Sequence, residues 1–583
     1  MAIATGVTLN ATGNLTLAND STDALDIVGE GVLNLTTAGV LTISNAVDAN
    51  GALTLTAANI TLSDVIDADS NAVNIIPQSG GTIGLGAGAG TLSLDDTELG
   101  HINTSGIVTI GTNGTTDMVI DGWTDDGGLT GTVVLTADNA AGTVTFSGSA
   151  STLTAGLTVN SDAGVTVSVD VTTAGTTDIN ADEDGSGGGT FTLGAGIDLD
   201  AGAGALTIAG ADFVLTTNAN TDILTTGALT LVATNNATIT VAADTGFGIT
   251  NTELSYLNAD TLTIGNGTGA IDVKGVTDGS DADIDNGVTL SGTNVTFDTA
   301  ASTFEALTVT ATGVVDIDVN ITTDVGAMSL TGSTAGADGD NMAIATGVTL
   351  NATGNLTLAN DSTDALDIVG EGVLNLTTAG VLTISNAVDA NGALTLTAAN
   401  ITLSDVIDAD SNAVNIIPQS GGTIGLGAGA GTLSLDDTEL GHINTSGIVT
   451  IGTNGTTDMV IDGWTDDGGL TGTVVLTADN AAGTVTFSGS ASTLTAGLTV
   501  NSDAGVTVSV DVTTAGTTDI NADEDGSGGG TFTLGAGIDL DAGAGALTIA
   551  GADFVLTTNA NTDILTTGAL TLVATNNATI TVA

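Results

Sequence analysis

Cysteine is absent from the 583-residue chain, so neither a disulfide nor thiol chemistry is available to it. Basic side chains are nearly absent too: one Lys or Arg stands against 67 Asp and Glu, a formal net charge of −66. Lys274 is that residue, and only His101 and His442 can add positive charge. Phosphate contacts draw on Lys and Arg, so nucleic acid and anionic membrane surfaces are excluded as partners. Aromatics make up 2% of the chain, too few to fill an ordinary globular core. No stretch approaches the ~20 apolar residues that span a bilayer, so no membrane-inserted segment is expected. Met1–Gly6 lacks the basic start and apolar run of a signal peptide.

What remains is aliphatic. Hydrophobic residues make up 41% and charged residues only 12%, which separates the chain from disordered acidic sequences. Leu, Ile, Val and Ala occur in short alternating runs, enough for a thin core.

The chain repeats itself letter for letter. Residues 342–583 reproduce residues 1–242 without a substitution, a period of 342 − 1 = 341 residues. Two segments follow: 1–341 as a complete unit, and 342–583 as a partial second unit continuous with the first. Met342 follows Asn341 inside an unbroken pattern, so Met1 reads as an internal methionine and the sequence as an excerpt of a longer tandem array. A fixed period is the mark of solenoids and arrays.

A finer period runs inside the unit. Leu33 and Leu35, Leu53 and Leu55, Val73 and Ile75, then Leu92 and Leu94 recur about twenty residues apart. Leu41 and Ile43, Ile60 and Leu62, Ile83 and Leu85 form a second series, and Val47 and Ile66 a third. Alternation at a period of two is a strand signal, and Gly, Asn and Asp at Asp48–Gly51 and Gln78–Gly81 supply corners. Pro77 and Pro418 fall at such a corner, where a missing N–H does least harm. Helices are disfavoured by 84 glycines, and β-sandwich domains by the persistent coil-length spacing. The fold class expected is all-β: a parallel β-helix, or β-solenoid, with about twenty residues per coil, built from tandem 341-residue units. At ~4.8 Å between coils, one unit predicts a rod of order 80 Å.

Two segments carry a family likeness: TELSYLNADTLTIGNGTGAIDV at Thr252–Val273 and TELGHINTSGIVTIGTNGTTDMVI at Thr97–Ile120. With the GALTLTAANITL run at Gly51–Leu62, they resemble very large secreted β-helical proteins related to filamentous haemagglutinin. The resemblance implies a right-handed β-helix, export across the cell envelope, and display as a surface filament or adhesin. The charge departs from that pattern and speaks against heparin-type binding, pointing instead to a saline or calcium-rich setting.

The chemically suggestive residues are acidic: Asp67 and Asp69, then Asp182, Glu183 and Asp184, then Asp281, Asp283 and Asp285. Calcium takes six to eight oxygen ligands, and alternating carboxylates beside a glycine turn can supply several. These are the candidate calcium ligands, with a solvated acidic corner as the alternative. His101 has no second His nearby and reads as structural; Trp123 reads as packing over a core end or as a sugar-stacking face. Paired carboxylates raise glycoside hydrolysis, but the chain has no arginine to stabilise charge and no distinctive catalytic patch. Thr-x-Thr triplets at Thr54–Thr56, Thr143–Thr145 and Thr238–Thr240 raise ice or glycan binding, yet look scattered. The expected function is structural, without catalysis: an extracellular filament, sheath or adhesive fibre at the cell surface. Its partners would be adjacent units of itself and cell-surface glycans; the alternative is a glycan- or ice-binding adhesin module.

Overall fold

The computed structural model describes residues 2–18, 24–78, 80–216, 222–332, 342–360, 366–369, 372–419, 421–557, 561 and 563–575. Nearly all regular structure in them is short β-strand, and the strands of successive coils pair in parallel. Two compact units, Met1–Thr293 and Asn294–Ala583, divide the chain. That division does not coincide with the seam of the sequence repeat at 341/342. In the second unit the ladder runs across the seam, with Met342–Ala345 paired to Val315–Ile317.

In Met1–Thr293 each coil has three sides. The short side stacks Ala2–Ala4, Leu25–Val28, Val47–Ala49, Ile66–Asp67 and Ile102–Asn103. A longer side stacks Thr8–Ala11, Val32–Thr37, Ala52–Ala57, Val73–Pro77 and Val108–Thr112. The remaining side begins with Leu15–Leu17, Val40–Ile43 and Asn59–Leu62. Alternate residues point inward, so in Ala52–Ala57 Leu53, Leu55 and Ala57 are buried and the threonines between them are not.

Each inward residue sits on its counterpart in the next coil. One column runs Leu33, Leu53, Val73, Val108, Val133, Leu157, Thr177, Leu206, Leu229, Leu262, Val288. Every member is buried, and fully burying such an aliphatic side chain contributes ~1.5–3 kcal/mol. Thr177 is the polar exception, its hydroxyl 2.5 Å from that of Thr173.

The twenty-residue spacing holds for Leu33, Leu53 and Val73, and then lengthens. Val73 stacks on Val108, 35 residues on, where the spacing alone placed Leu92. Leu92 and Leu94 instead pair with Ile83 and Leu85, which stack in turn on Met118 and Ile120. The chain makes a miniature extra turn here because Gly84 and Gly88 meet backbone to backbone. A Cβ on Gly84 would lie 2.1 Å from the Gly88 carbonyl oxygen. With coils longer than twenty residues, a 341-residue stretch holds fewer of them than the spacing implied.

The two family-like segments share one local structure. Each follows a miniature turn, Ile83–Gly86 on Leu92–Leu94 and Ile239–Val241 on Phe247–Ile249, and opens a short helix, Asp96–Gly100 or Asn251–Leu254. Both helices carry a capping box, Asp95 with Glu98 and Thr250 with Glu253. The glutamate's other oxygen accepts a backbone N–H of the preceding coil: Leu62 to Glu98 at 3.1 Å, Leu215 to Glu253 at 3.0 Å. Each carboxylate thus bridges the gap the extra turn leaves in the ladder.

In the second unit the copied sequence repeats the copied registers: Leu374 on Leu394, Leu394 on Val414, Val414 on Val449. Its Ile424 and Leu426 pair with Leu433 and Leu435 as their counterparts do.

Replacing Gly84 by alanine should abolish the miniature turn. Hydrogen exchange of the altered peptides across residues 83–95 is expected to accelerate, while the copy around Gly425 keeps its protection. Unchanged exchange at the altered turn would refute the steric account.

Candidate functional site

The sequence-predicted carboxylates lie at three corners. Asp67 ends the strand Ile66–Asp67, exposed, and its Oδ1 accepts the Asp69 N–H at 3.3 Å. Asp69 sits at φ +51°, a conformation Asp tolerates better than most residues, and its carbonyl takes the Ser105 N–H.

Asp182 is buried at 1% exposure. Its carboxylate accepts the N–H groups of Gly187, Gly188 and Gly189 and the hydroxyl of Thr234. It pins the loop beneath it, and its copy Asp523 repeats the pattern with Gly528, Gly530 and Thr575. Glu183 accepts from Asn180, and Asp184 from the Ser186 N–H. Asp281 is buried while Asp283 and Asp285 face out. The segment is a turn and not a strand, so the i, i+2 spacing does not place the three on one face. Among the described residues no three His, Asp or Glu side chains gather as a metal-holding group.

His101 closes the helix Asp96–Gly100, its Nδ1 3.1 Å from the Leu62 carbonyl oxygen. Trp123 is buried at 1% exposure, so it packs in the core and offers no stacking face. Its indole N–H finds no protein acceptor, and neither does that of its copy Trp464.

Most carboxylates with assigned partners bond to backbone. Many reach the next coil: Asp96 accepts Thr124 N–H at 2.7 Å, Asp121 accepts Ser149 N–H at 2.8 Å, Asp170 accepts Asp198 N–H at 3.1 Å, and Asp125 accepts Thr154 N–H at 3.2 Å. Asp95, Asp96, Asp121 and Ser149 line an open groove beside the helix, and Asp436, Asp437, Asp462 and Ser490 line its copy.

One half-buried pair was not foreseen. Asp138 and Asp162 share a hydrogen bond between carboxyl groups, and the Asp184 N–H donates to Asp162 at 3.1 Å. Burial, then that bond and the charges of Asp138 and Asp184, push Asp162 up to about 6. In the copy, burial, the bond to Asp503 and the charges of Asp503, Glu524 and Asp525 push Asp479 up to about 7. Opposite members take the proton in the two copies, so it belongs to the pair. The signal was the spacing of 24 residues between Asp138 and Asp162, equal to the coil offset of Val133 on Leu157; it is visible only once the register is known.

Threonines also align. Of the Thr-x-Thr triplets, Thr54 stands between Asn34 and Asn74 while Thr145 is in register with Thr166 and Thr192, and elsewhere Thr207, Thr230, Thr263 and Thr289 share one outward column. The adjacent outward column is mixed: Asn160, Asn180, Ala209, Val232. No described helix is long and apolar enough to cross a membrane. No protein-family model matches the chain, and no curated protein or solved structure matches it.

Two predictions follow from the charges. Asp67 lies in register with Asp48, and Asp48 with Asp26; like charges placed opposite one another destabilise a sheet. Asp67→Asn should therefore stabilise its coil by ~0.2–1 kcal/mol at low salt, a gain that vanishes once salt screens the pair. Denaturation at two salt concentrations checks this, and a gain independent of salt would contradict it.

The Asp138–Asp162 pair acts through pH. Its folded pKa lies above the ordinary 3.8, so the folded state holds the extra proton and stability is lost as pH rises through the folded pKa. Asp162→Asn combined with Asp503→Asn should raise the thermal midpoint above about pH 7, with the difference from the parent chain vanishing towards about pH 4. A pH-independent difference would exclude the shared proton.

Proposed function

We propose that this chain is a structural element of an extracellular filament, sheath or adhesive fibre at the cell surface, without catalysis. The observation that carries the reading is the parallel ladder with its columns of aliphatic residues, repeated register for register where the sequence repeats. Such a stack is extended by adding coils, each new coil burying the exposed side of the last. A tandem array therefore lengthens without a new core. Dense negative charge keeps neighbouring stacks soluble and apart.

Carboxylates held by backbone N–H groups support a structural role for the acidic residues in preference to a catalytic one. Asp182 is tied to three glycine amides and one hydroxyl, which leaves it poorly placed to transfer protons. Exposed carboxylates such as Asp67, Asp69, Asp283 and Asp285 would meet calcium or other cations where stacks approach side by side. Cell-surface glycans are the partners such a fibre would reach.

The threonine column of Thr207, Thr230, Thr263 and Thr289 keeps the ordered-surface reading in view, since hydroxyls recur there at the coil spacing of about 4.8 Å. The mixed column beside it leaves that array one residue wide, so the filament is the reading adopted.

Immunogold electron microscopy of the source cells with antibody to this chain tests the proposal. Label along surface filaments is expected, with bundles loosening in excess chelator at low salt. Label confined to the cell interior would overturn the location, and bundles unchanged by chelation would overturn the cation bridge.

A further inference from the structure

Negative charge is unevenly placed around the coils of Met1–Thr293. The short side carries Asp26, Asp48 and Asp67 in register, and Asp117, Asp121 and Asp212 edge strands of the remaining side. The longer side differs. Eleven of its strands stack without interruption from Val32–Thr37 to Val288–Gly292. One outward column runs through all of them, from Asn34 to Thr289, and among the described residues Asp178 is the only charged one in it. The outward column beside it holds no charge: Thr36, Thr56 and Ile76 open it, and Asn180, Ala209 and Val232 close it.

The second unit repeats the arrangement. Its copied column from Asn375 to Thr548 has Asp519 as its single charge. A chain of net charge −66 thus keeps one broad side of its coils nearly neutral. Ten gaps of ~4.8 Å along the stack and about five residues of ~3.3 Å across it give roughly 50 Å by 16 Å, about 800 Å². Each partner in a stable complex commonly buries about that area.

The charge pattern names the occupant. A cationic partner is drawn to the carboxylates of the other sides. A sugar-stacking partner needs aromatic rings, and the two neutral columns hold none. Two copies of this chain, by contrast, can approach closely only where carboxylates do not face carboxylates. The longer side meets that condition, and its rows of threonine, valine and isoleucine suit a second sheet packed ~10 Å away.

We propose that two copies of this chain pack side by side through this neutral face, longer side on longer side about a two-fold axis. Such a contact draws the same patch from both copies. With full overlap of the eleven strands the axis passes through the sixth, at Thr158, so Asp178 of each copy faces Val134 of the other. The two carboxylates then lie on opposite sides of the axis and stay apart. This deepens the filament reading by naming a lateral partner, and rests on that reading only in taking the coil stack as the building element. It differs from a cation bridge in needing no metal.

The test follows the full chain by sedimentation velocity over a concentration series in excess chelator, with circular dichroism as the check on folding. Reversible association is expected, undiminished by the chelator. Val134→Asp with its copy Val475→Asp sets a carboxylate opposite Asp178 and Asp519, and should weaken association by about tenfold or more. Val134→Lys with Val475→Lys sets the opposite charge there and should strengthen it, by a margin that salt removes. The same acidic change on the short side, Thr152→Asp with Thr493→Asp, should leave association unaltered. Because the chain has no cysteine, Thr158→Cys with Thr499→Cys reads the contact directly: oxidation should link copies by disulfides, and Thr152→Cys with Thr493→Cys should not. A folded parent chain that stays monomeric at every concentration would overturn the proposal and leave the filament reading, which is tested by surface location, untouched. Association indifferent to the charge at position 134, or crosslinks formed only from the short side, would overturn it as well.

Discussion

Backbone hydrogen bonds between successive coils are the constraint on which everything else in this protein depends. A strand of three to six residues has no stability of its own. It becomes stable here because most are paired on both sides by strands of neighbouring coils, and because that pairing places most inward Leu, Ile and Val residues on one another. The core is thin, filled only by the inward residues of each coil's three short sides, such as Leu53 and Leu55, Ile60 and Leu62, and Ile66. Register and burial are then a single property, since a one-residue slip would turn every leucine outward.

The same geometry organises the charges. Chains usually neutralise carboxylates with Lys and Arg; this one has a single such residue, Lys274, placed 2.6 Å from Asp272. Its aspartates instead accept backbone N–H groups, often from the coil that follows, as Asp96, Asp121, Asp125 and Asp170 do. A carboxylate so placed closes a corner where the ladder breaks, as Glu98 and Glu253 do beside the miniature turns. The acidic residues are thus partly architecture. The cost appears where the stack brings like charges together, at Asp26, Asp48 and Asp67 in register and at the half-buried pair Asp138–Asp162.

Local structure repeats wherever sequence repeats, but burial does not. Leu9 and Leu350 share sequence and strand assignment and differ in exposure because, among the described residues, only the second has a paired strand on each side. For a solenoid the environment of a residue is set by its neighbours one coil away, and those neighbours lie twenty or more residues off in the chain.

The strand alternation, the parallel stacking and the columns of Leu33, Leu53 and Val73 were legible in the sequence, because a period of two and a constant offset are local patterns that survive in linear text. The near-absence of Lys and Arg was likewise legible there, and with it the expectation that polyanions are poor partners. The change of partner from Leu92 to Val108 was not legible, since it depends on two glycines meeting backbone to backbone inside a turn. Nor were the inward turn of Asp281 beside outward Asp283 and Asp285, the pairing of Asp138 with Asp162, or the alignment of Thr207, Thr230, Thr263 and Thr289. Composition and periodicity determine that coils form and which residues face in; coil length varies with corner geometry, so only the folded stack decides which side chains of different coils meet.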